Sequence, residues 1–83
     1  MNTINKLRFE IDIIDDEILK LLERRVEIVK KLGDIKTINK YEILCSSRDN
    51  NIINRLIQKS SLDNIFIKRI WNIIIDFSKL VNH

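Results

Sequence analysis

Proline and alanine are absent from this 83-residue sequence, and Gly33 is its single glycine. Because proline and glycine are the residues that most often interrupt helices, their scarcity favours long helices. A single cysteine, Cys45, excludes an intrachain disulfide and a metal site built from several cysteines. With few aromatic residues (three Phe, one Trp and one Tyr) and a formal net charge of +3, the sequence also argues against a nucleic-acid-binding surface.

Long apolar runs are missing as well. Arg8, Glu10 and Asp12 interrupt the N-terminal stretch, which therefore lacks the apolar segment of a secretory signal peptide. The most apolar stretch, residues 65–77, contains Lys68, is charged at two further positions, and is too short to span a bilayer. These absences predict a soluble, cytoplasmic protein without a membrane partner.

The residues that are present predict one globular domain over residues 1–83. Hydrophobic residues make up 45% and charged residues 33% of the sequence, which excludes a disordered chain. A chain this short buries a limited fraction of its surface, so a lone monomer would be marginally stable. Self-association is therefore expected.

The first half of the chain carries an apolar seam, a set of apolar residues at alternating three- and four-residue spacing. Its members are Ile4, Leu7, Ile11, Ile14, Ile18, Leu21, Ile28, Leu32 and Ile35. This spacing predicts one helix, capped by Asn2 or Thr3 and running to about Asn39. Such a helix is about 50 Å long, whereas a compact chain of this length has a radius of gyration of about 12 Å. The helix would protrude, and its seam needs a second chain to cover it.

Two further helices are predicted after a connector at residues 40–47. The second helix runs from about residue 47 to 59 with Ser46 or Ser47 as its cap, and the third covers roughly residues 62–82 with Ser61 as its cap. The predicted inward side chains are Ile52, Ile53, Leu56 and Ile57 in the second helix, and Phe66, Ile70, Ile73, Ile74, Phe77 and Val81 in the third. The predicted fold class is all-α, a three-helix chain with a long first helix.

Arg25 occupies the seam position between Leu21 and Ile28, where an apolar residue is expected. A buried guanidinium without a partner is costly, which predicts an anion beside it. Lys36 lies three helical turns later, within about 20° of the same face and about 16 Å along the axis. Both cations therefore face the same side of the predicted first helix. Each also has a simpler interpretation, in which Arg25 snorkels from the seam edge and Lys36 is solvated.

Polar groups on the other helices extend this cationic region. Arg48 lies one turn before the buried positions of the second helix, and Ser78 and Asn82 form an i,i+4 pair on the third. Together these groups describe a small anion-binding pocket inside a helical bundle, although Ser78 could instead bond to its own helix. Arg8 lies about 25 Å from Arg25 along the first helix, so only an antiparallel partner chain could bring it there.

The remaining reactive side chains do not suggest a metal site. Asp12, Asp15 and Asp16 lie near one face, but no second acidic or histidine cluster would complete a metal site. A solvated acidic face is the better interpretation. Cys45 is interpreted as a small apolar side chain, because nothing in the sequence would activate its thiol.

The pattern of charges and apolar residues resembles the all-α (AroQ-type) chorismate mutases. The positions that carry the resemblance are Leu7–Arg8, Ile11–Asp12, Ile14–Asp15, Ile18, Leu21–Leu22, Arg24–Arg25, Leu32–Gly33, Lys36, Arg48–Asp49, Ile73 to Asp76 and Ser78. They cover essentially the whole chain without a gap. The resemblance implies a chain that interlocks with a second copy into an intertwined six-helix homodimer with two shared active sites.

The resemblance also implies an activity and the residues that perform it. The activity is the conversion of chorismate to prephenate, a Claisen rearrangement that needs no cofactor and no metal. Arg25 and Arg8 of the partner subunit would clamp the two carboxylates of the substrate. Lys36 and Asn82 would hydrogen-bond its ether oxygen. The reaction needs a dianion held in a compact conformer and positive charge near the breaking bond, so a lack of nucleophilic machinery is no objection.

Four supporting contacts follow from the same resemblance. Arg48 and Ser78 would support the carboxylate contacts, Asp49 would accept the substrate hydroxyl, and Cys45 would contribute through its backbone N–H. The family usually has Gln in place of Asn82, Glu in place of Asp49 and often Asp in place of Cys45. These departures are expected to lower the rate more than to abolish it.

Three other functions stay open at the level of sequence. The same fold also hosts isochorismate pyruvate lyases, which the inward cations do not exclude, although the pair Ser78 and Asn82 favours the mutase. A non-catalytic dimerisation or regulatory module is the second alternative, because Asp49 and Asn82 are shorter than the family's usual residues. A basic helical nucleic-acid binder is the third, and it predicts salt-sensitive binding to duplex DNA.

Overall fold

A computed structural model of the chain describes the backbone of residues 2–39 and 46–81 and the side chains of residues 2–35 and 48–81. It contains three helices, α1 (Thr3–Asn39), α2 (Ser46–Lys59) and α3 (Asn64–Val81). The described residues form no strand, so the prediction of an all-α chain is confirmed. None of the helices within these ranges is long and apolar enough to cross a membrane.

Helix α1 begins at a side-chain cap. The Oδ1 atom of Asn2 accepts a hydrogen bond from the backbone N–H of Asn5 at 2.8 Å. The carbonyl of Asn2 accepts from the backbone N–H of Lys6 at 3.2 Å, which starts the helical hydrogen-bond pattern. Asn2 therefore satisfies N–H groups that the first turn of a helix would otherwise leave unpaired, and of the two predicted caps it is the one that the structure uses.

The start of α3 differs from its prediction. The Oδ1 atom of Asp63 accepts a hydrogen bond from the backbone N–H of Phe66 at 3.0 Å, so Asp63 is the cap and the prediction of Ser61 is wrong. The hydroxyl of Ser60 accepts from the backbone N–H of Leu62 at 2.9 Å and forms the turn before it. The helix therefore begins two residues later than predicted, with a carboxylate at its positive end.

Helix α3 is the central element of the chain. It packs against both α1 and α2, whereas the backbones of α1 and α2 do not approach each other closely within the described residues. The core of a single chain is small, with Ile53 of α2 and Ile67 and Ile75 of α3 buried. The residues of α2 that were predicted to face inward are all buried or half-buried: Ile52, Ile53, Leu56 and Ile57.

Of the residues of α3 predicted to face inward, Ile70, Ile74 and Val81 are half-buried, whereas the other three are exposed. Ile73, predicted to face inward, is 71% exposed, and Phe66 and Phe77 are about half exposed. The residues that pack within the chain lie on the neighbouring edge of the helix, centred on Ile67 and Ile75. Because α3 is apolar around much of its circumference, the position of α2 decides which edge is covered. The prediction for Phe66, Ile73 and Phe77 is wrong within a single chain.

The apolar seam of α1 is uncovered. All nine seam residues are 40% to 65% exposed. The chain measures 57 × 24 × 17 Å and has a radius of gyration of 16.3 Å, well above the roughly 12 Å of a compact chain of this length. Its accessible surface is 7287 Å², whereas a globular protein of 9.9 kDa exposes about 5,200 Å². One chain thus exposes about 2,000 Å² more than a compact monomer would.

Candidate functional site

Charged and polar side chains from all three helices meet at one place in the bundle. We call this group the polar cluster. Its members are Arg25 of α1, Arg48 and Asp49 at the start of α2, and Ser78 and Lys79 at the end of α3. Since α3 lies between the other two helices, it brings the middle of α1 close to the first turn of α2.

Arg25 is held by a hydrogen bond to α3. Its Nη1 atom donates to the Oγ atom of Ser78 at 2.6 Å, and that hydroxyl donates in turn to the carbonyl of Ile74 at 2.9 Å. The backbone bond that Ser78 was alternatively expected to make is therefore present together with the contact to Arg25. With its proton committed to Ile74, the hydroxyl presents a lone pair to the guanidinium and fixes the direction in which it points. Arg25 is half-buried and is not a freely solvated seam-edge side chain.

The electrostatics of Arg25 favour an anion. Burial lowers the pKa of Arg25, and the nearby positive charge of Arg48 lowers it further, while the carboxylate of Asp49 opposes both effects. Two guanidinium groups thus lie near each other with one of them partly removed from water. A carboxylate bound between them would relieve both the desolvation and the repulsion.

An ion pair joins α2 to α3 beside Arg25. The Nζ atom of Lys79 lies 2.9 Å from Oδ2 of Asp49, and the two side chains are 36% and 23% exposed, respectively. The hydrogen bond to Asp49 is the largest influence on the pKa of Lys79 and raises it. Desolvation opposes that rise, and attraction to Asp49 and Asp76 adds to it. Lys79 carries no signal in the sequence beyond an ordinary preference, because a lysine in the last turn of a helix is already explained by the helix dipole.

The other predicted site residues are placed as follows. Arg8 is exposed on the N-terminal part of α1, about 25 Å along the helix from Arg25, so a single chain does not bring these two arginines together. Lys36 lies in α1, but the structure describes only its backbone. Cys45 and Asn82 lie wholly outside the described residues. The predicted roles of these three residues therefore stay predictions.

A groove with apolar walls lies next to the polar cluster, between α1 and α3. Its volume is about 440 Å³, and Arg25 and Ser78 form part of its edge. Its apolar walls are formed by Leu22, Val26, Ile73, Ile74 and Phe77. Arg48, Asp49 and Lys79 do not line it. We call it the apolar groove, and its walls suit the apolar side chains of another helix better than a small anion.

The described residues contain no group of three or more His, Cys, Asp or Glu side chains that could hold a metal ion. Asp12, Asp15 and Asp16 are exposed. The chemistry that the polar cluster can supply is recognition of a small anion by two guanidinium groups, with the Asp49 carboxylate beside them as an acceptor for a hydroxyl group on the same ligand.

Removing the Ser78 hydroxyl tests the anchoring of Arg25. We expect Ser78→Ala to lower the free energy of unfolding by about 1 kcal/mol, because it leaves a half-buried guanidinium without its hydroxyl partner. Chemical denaturation at one fixed protein concentration measures this change. Ser61→Ala, an exposed serine in the turn before α3, is the matched control and should leave stability unchanged. Equal stability of the two variants would contradict the anchoring role.

Comparison with known proteins identifies the family of the chain. Residues 7–83 match the family model of chorismate mutase type II. Over 58 residues the chain is 36% identical to a bifunctional chorismate mutase/prephenate dehydratase from Aquifex aeolicus (strain VF5), an alignment that covers 70% of this chain and 16% of that relative. The chain thus spans about one sixth of the length of that relative. The family match covers nearly all of the sequence and confirms the resemblance drawn from its charged and apolar positions, so the chain belongs to the chorismate mutase type II family.

Proposed function

We propose that the chain is a chorismate mutase, which converts chorismate to prephenate by an intramolecular Claisen rearrangement. The observation that supports this most is Arg25, half-buried on α1, hydrogen-bonded to Ser78 and close to Arg48. Chorismate is a dianion. A half-buried guanidinium with a second positive charge nearby favours binding of a carboxylate. The rearrangement moves no proton and forms no covalent intermediate. Catalysis therefore depends on holding the substrate in the reactive conformer and on stabilising the charge that develops at the ether oxygen.

The residues of the polar cluster have distinct proposed roles. Arg25 binds one substrate carboxylate, and Ser78 holds the guanidinium in the orientation needed for a two-pronged contact. Arg48 adds positive charge beside it, and Asp49 accepts the hydrogen bond of the substrate hydroxyl. The family resemblance supports the assignment of the ether oxygen to Lys36 and Asn82.

We infer that two copies form an intertwined six-helix homodimer with shared sites. Three observations support this: the exposed apolar seam, the apolar groove beside Arg25, and the position of Arg8 far from the polar cluster of its own chain. If each chain covers its excess of about 2,000 Å², the dimer buries about 4,000 Å² in total, which is typical of obligate homodimers. An antiparallel α1 from the second copy would cover the seam and bring Arg8 of the partner subunit to the cluster.

The proposed activity is tested with purified protein and chorismate. Loss of chorismate absorbance with prephenate as the product is the expected result. Isochorismate is assayed in parallel, because release of pyruvate from it without prephenate formation from chorismate would make the chain a lyase instead. Chorismate turnover no faster than in buffer would favour a non-catalytic helical module.

The homodimer is tested by a pair of substitutions on opposite faces of α1. Ile11 belongs to the seam, whereas Phe9, similarly exposed in one chain, lies about 200° away around the helix. Light scattering is expected to give about 20 kDa for the wild type, twice the chain mass of 9.9 kDa. Ile11→Glu should shift the protein toward monomer, because it places a charge in the interface and removes burial that contributes about 2 kcal/mol per chain. Phe9→Glu should stay dimeric, and loss of the dimer in both variants or in neither would contradict the predicted interface.

A further inference from the structure

The ion pair between Asp49 and Lys79 has a consequence for the site. It joins the first turn of α2 to the last turn of α3, and each of its residues directly follows another member of the polar cluster. Arg48 precedes Asp49, and Ser78 precedes Lys79. The contact thus connects the two helix ends that carry the anion-binding groups of α2 and α3.

We propose that Lys79 is a positioning residue that orients the carboxylate of Asp49 toward the substrate hydroxyl. This inference rests on the proposed chorismate mutase function. A carboxylate has two oxygen atoms, and the ammonium group engages Oδ2 at 2.9 Å. With Oδ2 anchored from α3, the rotation of the Asp49 side chain is restricted, and Oδ1 is left to accept a hydrogen bond from a ligand.

The placement of Lys79 argues that it acts through Asp49. Ser78 lies at the edge of the apolar groove, whereas Lys79, about 100° further around α3, does not line that groove and is directed to the start of α2. The raised pKa of Lys79 agrees with an ammonium group whose main partner is the Asp49 carboxylate. The negative charge of Asp76 on the same helix also favours the charged form of Lys79.

A structural role and a positioning role of Lys79 predict different effects on stability and on the catalytic rate. A partly exposed ion pair adds little to stability, because water screens its charges and two long side chains must be ordered to form it. Displacing a group that contacts the substrate by about 1 Å, in contrast, can cost up to about 100-fold in rate. Loss of the Lys79 ammonium should therefore affect turnover much more than folding.

The first experiment removes the ammonium and then restores a cation. We expect Lys79→Met to lower kcat/KM for chorismate about tenfold, with an unfolding midpoint close to that of the wild type. Lys79→Arg should recover most of the loss, because a guanidinium can also bind Oδ2. Lys68→Met is the matched control, since Lys68 is exposed on nearly the same face of α3 but about 16 Å away. Activity of Lys79→Met within twofold of the wild type would overturn the proposal.

A double-mutant cycle then tests whether Lys79 acts through Asp49. In the Asp49→Ala background, Lys79→Met should cause no further loss of kcat/KM, because the group that it positions is already absent. Fully additive losses would overturn the positioning role and would indicate that Lys79 acts independently of Asp49. Inactive wild-type protein, in contrast, would overturn the proposed function itself, so the two failures are distinguishable.

A readout that does not depend on turnover completes the test. NMR couplings to the side-chain carboxyl carbon of Asp49 report whether it keeps one rotamer. We expect one dominant rotamer in the wild type and in Lys79→Arg, and averaging over several in Lys79→Met. A single unchanged rotamer in Lys79→Met would show that Lys79 does not orient the carboxylate.

Discussion

Replacing Arg25 by alanine is expected to lower kcat/KM for chorismate by about 100- to 1,000-fold, the range typical of losing one preorganised charged or hydrogen-bonding group in an active site. Arg25 is half-buried and fixed by Ser78 at 2.6 Å, so its guanidinium meets the substrate without first having to be ordered. Steady-state kinetics with the purified protein measure the effect. Arg25→Lys should show an intermediate loss, because a lysine keeps the charge but not the planar fork that matches a carboxylate.

Arg24 supplies a matched control for this experiment. It is the same residue type at the adjacent position, but it is exposed and lies about 100° around the helix from Arg25. Arg24→Ala should keep nearly all of the activity. Comparable losses in the two variants would point to a general effect of positive charge on α1 and would contradict a specific role of Arg25.

Mixing two inactive variants should restore activity if the sites are shared. Arg8→Ala and Arg25→Ala are each expected to be strongly impaired, because each site would need one of these arginines from each chain. In a mixed dimer, one site carries both defects and the other carries neither. Random exchange of an equimolar mixture should therefore recover about a quarter of the wild-type activity. Kinetics after brief partial denaturation and refolding of the mixture measure this recovery.

A third variant shows whether the recovered activity comes from intact shared sites. The double variant Arg8→Ala/Arg25→Ala, mixed with Arg25→Ala, cannot form an intact site in any dimer and should stay inactive. Mass measurement checks that the two variants have exchanged subunits. If they have, and the mixture of Arg8→Ala and Arg25→Ala still has no activity, Arg8 does not act from the partner chain. Full activity of Arg8→Ala alone would likewise exclude it from the site.

The sequence by itself determined the helical class and the position of Arg25. The apolar spacing of three and four residues repeats through the first half of the chain, and no proline interrupts it. Gly33 lies inside α1 without ending it, since a lone glycine costs only about 1 kcal/mol relative to alanine. Arg25 stands out because it breaks that spacing, which is a property of one helix and needs no knowledge of its neighbours.

Two local features of α3, its cap and its covered edge, needed the structure. Ser61 and Asp63 are both residue types that cap helices well, and the hydroxyl of Ser60 takes part in the turn that makes Asp63 the cap. For α3, periodicity identified an apolar helix but not its covered edge. The edge centred on Ile67 and Ile75 is buried because α3 packs against both α1 and α2.

Only the tertiary structure decided which charges belong together. Asp49 and Lys79 are 30 positions apart in sequence, and each alone matches an ordinary preference, an acid in the first turn of a helix and a base in the last. The sequence likewise placed Arg25 and Ser78 on two inward faces without fixing their distance. Periodicity specifies one face of each helix, whereas a contact between side chains depends on how the helices are rotated and positioned relative to one another. That arrangement is set by packing around α3, which brings the ends of α2 and α3 to Arg25.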